Sequence, residues 1–273
     1  MIFNRELLAE FKSNLERHFS GSGNSAYNPE NVYIKEYRVE APTAKLSREQ
    51  WIYENVDPTK VELSVIYWLD SKKPPYEVIN TSEFNSQFHF YRENAIDLMS
   101  KVSLMKILSK VLVNDIFPIE LLDHATPSTS LGRGFSTHAL PGAIFIKAPV
   151  LEFGIVENHA LNLVHEMAHQ ALMLVQWHNP IFNSGSGDPI YSVIRKVNRP
   201  AIKCLHALVA TSFMLKYLRN LKAQNIGTGV LSETYKSLLS CQHQGVDLMR
   251  GLDYTEVGEE IFNDCFEVYE ENV

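Results

Sequence analysis

The chain has 273 residues, 45% of them hydrophobic and 21% charged. These are ordinary globular proportions, which exclude a disordered or fibrous protein and leave room for one large domain or two small ones. A formal net charge of -7 and a sequence pI near 5.8 argue against a broad phosphate-binding surface, so nucleic acid is not an expected partner. Cys204, Cys241 and Cys265 are odd in number and form no CxxC pair. That usage excludes a cysteine-rich zinc module and suits a reducing compartment. The start Met1-Ile2-Phe3-Asn4-Arg5-Glu6 lacks a secretory pattern, and polar residues interrupt every apolar run before the roughly 20 residues of a membrane span. A cytoplasmic protein with no membrane partner is therefore expected.

In chain order, Leu7, Leu8, Phe11 and Leu15 recur at helical spacing and predict a helix over residues 1 to about 20, ended at Ser20-Gly21-Ser22-Gly23. Residues 32–39 and 61–69 have the β-branched and aromatic enrichment of strands, and Pro74-Pro75 marks a loop after them. Residues 1–95 thus read as an N-terminal α+β region, able in principle to recognise a peptide by strand addition. Apolar periodicity predicts one buried helix from Tyr91 to about Asn114. Residues 118–150 read as loop-rich, with one strand at Ala143-Ile144-Phe145-Ile146-Lys147. Helices are expected at about 156–177, 189–197, 200–224, 231–250 and 255–271. The expected fold class is α+β and predominantly α, with residues 96–273 forming a helical, metal-binding region.

That region carries His165-Glu166-Met167-Ala168-His169. On a helix, the i and i+4 spacing puts both imidazoles on one face a turn apart, where they can chelate one divalent metal. Neutral imidazole suits zinc or iron, and Glu166 can act on a metal-bound water as a general base without being a ligand. The flanking residues are mostly apolar, so the motif is buried, and buried His and Glu side chains need partners or a metal. Leu172 and Val175 stand where an HExxHxxGxxH pattern requires Gly and His, which rejects a metzincin. From Met167 to Ser232 there is no Glu and one Asp, Asp188, so the downstream carboxylate of a thermolysin-like site is missing too. The ligand types left there are His178, Asp188, Cys204 and His206, and His206 is the expected third ligand. His178, near a helix end, is better placed to meet backbone carbonyls. Arg195 and Arg199 precede His206 and offer forks for a carboxylate; Arg133 and His138, in a Gly-flanked loop, are weaker candidates.

The stretch Ala160 to His169, together with Asp188-Pro189-Ile190-Tyr191 through Arg199-Pro200 to Leu205-His206-Ala207, resembles the HEXXH-motif peptide-modification proteins found with ribosomally made, post-translationally modified peptides. The likeness spans roughly residues 140–220, and Ala207 stands where the family pattern favours Gly. The resemblance implies an Fe(II)- and 2-oxoglutarate-dependent β-hydroxylase acting on a side chain of a precursor peptide. It further implies that His165, His169 and His206 are the iron ligands and that Arg195 or Arg199 grips the co-substrate. Three protein ligands leave positions on an octahedral iron for a bidentate keto acid and dioxygen. Two other readings stand beside it: a zinc metallopeptidase with Glu166 as general base, and a non-catalytic helical binding module.

Overall fold

The computed structural model describes residues 2–21, 76–78, 85–113, 115–121, 134–136, 142–147, 154–226, 229 and 231–271. The described residues are mostly helical, with two small sheets, an α+β fold that is predominantly α. In chain order the elements are α1 (Arg5–Gly21), β1 (Tyr76–Val78), α2 (Asn85–Ser100), α3 (Ser103–Leu112), β2 (Asp115–Leu121), β3 (Gly134–Ser136), β4 (Ala143–Lys147), α4 (Ile155–His178), β5 (Pro189–Ser192), β6 (Val197–Pro200), α5 (Ala201–Ala223), α6 (Ser232–Met249) and α7 (Glu256–Glu270). The strands expected at 32–39 and 61–69 lie outside the described residues, as do Arg133 and His138.

Two long helices, α4 and α5, form the centre because they are apolar on almost every side. From Leu161 to Val175 on α4 only Asn162, His165 and His169 are not buried. Such a helix cannot face water and must be covered all round. It packs against α1, α2 and α5, while α5 packs in turn on α6 and α7. Among the described residues, α5 is the one helix long and apolar enough to cross a membrane, and 78% of its apolar window is buried inside the protein. Asn179 ends α4 in an extended conformation, as the following Pro180 demands.

Helix α1 shares this core. Ile2 and Leu8 are fully buried, Phe3 lies 4.7 Å from Phe213 between ring centroids, and the backbone N–H of Ile2 donates to Asp264 Oδ2 at 2.7 Å. Nε2 of His178 meets the carbonyl of Phe11 at 2.7 Å, and the two rings stack. His178 therefore has the carbonyl-binding role expected of it, but its partner is on α1 and not on its own helix. The expected boundary at residue 95 falls inside α2, which packs on α4.

The main sheet has the order β1-β2-β4-β3, with β2 and β4 parallel and both outer pairs antiparallel. Ala143 to Ile146 are fully buried, the continuous apolar run of a strand covered on both faces. Gln170 of α4 clamps this strand: its Oε1 accepts from Gly142 N and its Nε2 donates to Ala143 O, each at 2.9 Å. Strand β2 was not expected from the sequence, since Pro118 reads as a breaker. Pro118 pairs in register with β4 but lies just outside the Ile119–Leu121 stretch paired with β1, which is how a strand accommodates a residue with no N–H.

Two expected helices are corrected. The single helix over 91–114 is α2 and α3, which meet at Lys101 and Val102, and α2 begins earlier. Residues 189–197 are not helical: β5 and β6 form an antiparallel hairpin with Ile190 opposite Arg199 and Ser192 opposite Val197. Tyr191, Val193, Ile194 and Val197 favour strands, two prolines bracket the segment, and Lys196 takes a positive φ of 57° at the turn.

At the start of α7, Thr255 Oγ1 accepts from Gly258 N at 3.1 Å and caps the helix. A Cβ at Gly258 would collide with the backbone carbonyl of Ile181. Gly258→Ala is accordingly expected to destabilise the protein by about 1–3 kcal/mol, the usual scale of overpacking, measured as a lower urea midpoint at unchanged slope. A variant as stable as wild type would show that the 180–183 segment yields freely.

Candidate metal centre

The i, i+4 spacing on α4 brings His165 and His169 together as the sequence predicts. Their Nε2 atoms lie 3.1 Å apart and the rings are nearly perpendicular, at 88°. Two bonds of about 2.1 Å to one shared ion can span such a separation. Glu166 completes the group: one donor atom from each of His165, Glu166 and His169 lies within 4.8 Å of the others, and Glu166 Oε1 is 3.9 Å from His165 Nε2.

Strand β3 fixes the carboxylate. Phe135 stacks on Phe145 of β4 with centroids 4.5 Å apart, so alternation along the strand turns Gly134 and Ser136 to the other face. Ser136 Oγ donates to Glu166 Oε2 at 2.8 Å. Gly134 sits so close that a Cβ there would meet Glu166 Oε1 at 3.2 Å and the Phe145 carbonyl oxygen at 2.5 Å. A side chain at position 134 would displace either the carboxylate or the strand.

Burial sets the charge states. Desolvation raises the Glu166 pKa to about 8, against the opposing pull of the Ser136 hydrogen bond and the Arg195 guanidinium. Desolvation, then Arg195, lowers His165 to about 4. His169 falls well below the ordinary histidine value through desolvation, followed by the neighbouring His165, His206, Lys203 and Arg195. Both imidazoles are therefore neutral near pH 7 and have lone pairs to offer. Two neutral imidazoles and a carboxyl group that ionises readily beside a cation are a donor set that fits a divalent metal.

His206, on α5, reaches the opposite edge of His169. Its Nδ1 lies 3.3 Å from His169 Nδ1 and its Nε2 is 2.9 Å from Gln176 Oε1. In this arrangement it stands behind His169 and is not in the group formed with His165 and Glu166. The two arginines separate as well. Arg195, at the hairpin turn, acts electrostatically on His165, Glu166 and His169. Arg199 acts on the thiol of Cys204, whose Sγ also lies 3.9 Å from the Arg199 carbonyl.

No family model and no curated protein matches this chain. The site therefore has to be read from its own chemistry. Three of its members escape a reading of the sequence. Ser136 is thirty residues from Glu166, with no local pattern to connect them. Lys203 lies one helical turn before His206. Gln176 alone left a signal, because positions 165, 169 and 176 follow the i, i+4, i+11 spacing of a single helix face.

Proposed function

We propose that the chain is a metal-dependent oxygenase that uses Fe(II) and 2-oxoglutarate to hydroxylate the β-carbon of a side chain in a ribosomally made precursor peptide. The observation that carries this reading is the Arg195 guanidinium, whose charge acts on all three members of the His165, Glu166 and His169 group. A cation beside a cation site is unfavourable unless an anion lies between them. A keto acid with a second carboxylate would satisfy both charges, and the arginine fork would hold that second carboxylate. Two histidines and a carboxylate are also the donor set of non-haem iron oxygenases, which keep positions open for co-substrate and dioxygen.

When bound, iron and 2-oxoglutarate supply the oxidising power that places one atom of dioxygen in a C–H bond as the keto acid becomes succinate and carbon dioxide. The protein's own contribution is to present neutral imidazoles, to hold Glu166 through Ser136, and to bind the co-substrate's distal carboxylate at Arg195. The peptide class rests on the resemblance of the HExxH and His206 segments.

The test is anaerobic addition of Fe(II) and then 2-oxoglutarate to metal-free protein, following the weak visible band of a chelated keto acid. Wild type is expected to give the band. Arg195→Ala is expected to weaken 2-oxoglutarate binding about 10- to 100-fold, the scale of a charge-assisted hydrogen bond, and Arg199→Ala to leave it unchanged. Equal effects of the two variants would remove the argument from Arg195.

A second reading, a zinc peptidase, is favoured by the position of Glu166. Its carboxyl group lies 3.9 Å from His165 Nε2, and a cation held there would return its raised pKa towards the ordinary carboxylate range and leave it ionised, able to take a proton from a metal-activated water. No visible band, tightly retained zinc, and peptide cleavage lost in Glu166→Gln would establish that reading instead.

A further inference from the structure

We infer that Gln176 is a positioning residue for the metal centre: acting through His206, it fixes the ring tautomer of His169 so that the bare Nε2 of His169 faces His165. The inference rests on the reading of His165 and His169 as metal ligands and adds a residue whose role is to orient one of them.

A side-chain amide oxygen only accepts hydrogen bonds, so at 2.9 Å from Gln176 Oε1 the Nε2 of His206 carries its hydrogen. A neutral imidazole has one N–H, and the Nδ1 of His206 is therefore bare. The Nδ1 of His169, 3.3 Å away, must donate to it, because two bare nitrogens would repel at that distance. Its own single hydrogen being thus committed, His169 leaves Nε2 bare, and that atom lies 3.1 Å from His165 Nε2. In the metal-free protein the His165 Nε2–H closes the chain. Metal uptake then requires a change of tautomer at His165 and none at His169 or His206.

Metal-binding histidines are commonly oriented by an acceptor on the second ring nitrogen. Here the acceptor is another imidazole, which can donate as readily as accept. Left alone, His206 could present Nδ1–H, forcing His169 to hold its hydrogen on Nε2 and masking the lone pair. Gln176, half-buried two turns along α4 from His169, removes that option.

The experiment compares wild type with Gln176→Leu, Gln176→Glu and His206→Ala. Histidine tautomers are read in the metal-free proteins by long-range 1H–15N correlation, and zinc affinity is measured by competition with a chelator. Wild type should show Nδ1–H at His169 and Nε2–H at His206. Gln176→Leu should show mixed tautomers at both residues and bind zinc about 10- to 100-fold more weakly. Gln176→Glu keeps an acceptor and should restore both readouts, and His206→Ala should lose no more affinity than Gln176→Leu. Unchanged tautomers in Gln176→Leu would overturn the inference. So would unchanged zinc affinity in Gln176→Leu alongside a loss of several orders of magnitude in His206→Ala, which would make His206 a ligand. A wild type that takes up no metal would sink the metal reading, while the tautomer spectra of Gln176→Leu would still decide the role of Gln176.

Discussion

Replacing His169 by alanine is expected to weaken zinc binding about 100- to 1,000-fold. The figure follows from dividing the roughly 10–16 kcal/mol of a tight four-ligand zinc site among its ligands, which gives about 2.5–4 kcal/mol each, or two to three orders of magnitude at 1.4 kcal/mol per tenfold. His169 is the member with the most to lose, because its two nitrogens face different partners: Nε2 meets His165 and Nδ1 meets His206. His165→Ala removes a ligand as well, but it leaves the His169, His206 and Gln176 chain in place. The prediction is checked by calorimetric titration of both variants, with folding confirmed by circular dichroism. Zinc affinity in His169→Ala within a factor of three of wild type would show that these imidazoles form a hydrogen-bonded chain and not a metal centre.

The helices legible in the sequence are those whose periodicity tertiary contacts reinforce. Predictions for α4, α5, α6 and α7 agree with the structure to within one or two residues, and the strand at 143–147 coincides with β4. The hairpin at 189–200 is ambiguous in the sequence, because Tyr191, Val193 and Ile194 suit a short helix face as well as a strand; only the bracketing Pro189 and Pro200 favour the hairpin. The break between α2 and α3 left no Gly or Pro behind. At the site, a helix repeats at fixed spacing and so announced His165, Glu166 and His169. What comes from other elements, Ser136 above all, depends on strand register and helix packing, which a single sequence does not encode locally. His206 was singled out by elimination among ligand types, and elimination says nothing about which edge of His169 it would meet.

Glu166→Gln is expected to remove a fall in the stability of the metal-free protein between pH 6.5 and 8. The native carboxyl titrates at about 8 against an ordinary value of 4.5, so above pH 4.5 the unfolded chain releases a proton that the native protein keeps. The stability contributed by the protonated form is complete below 4.5 and is lost as pH rises through 8. The histidines act in the opposite sense and in a different window. His159, lowered to about 4 by burial and then by Arg92, His165, also lowered to about 4, and His169 cost stability as pH falls below 6.5 and are neutral in both states above it. The buried Cys265 thiol is pushed up to about 12 and enters only above the ordinary cysteine value of 9.0. Between 6.5 and 8, then, Glu166 is left to act alone among these shifted groups. One proton of difference changes stability by about 1.4 kcal/mol per pH unit, or about 2 kcal/mol across the window. Urea denaturation at pH 6.5, 7.2 and 8 should show that decline in wild type and a flat profile in Glu166→Gln. Saturating zinc should also flatten the wild-type profile, because an adjacent cation favours the ionised carboxylate and returns its pKa below the window. A decline that persists in Glu166→Gln would place the responsible proton elsewhere and would separate Glu166 from the buried charge of the metal site.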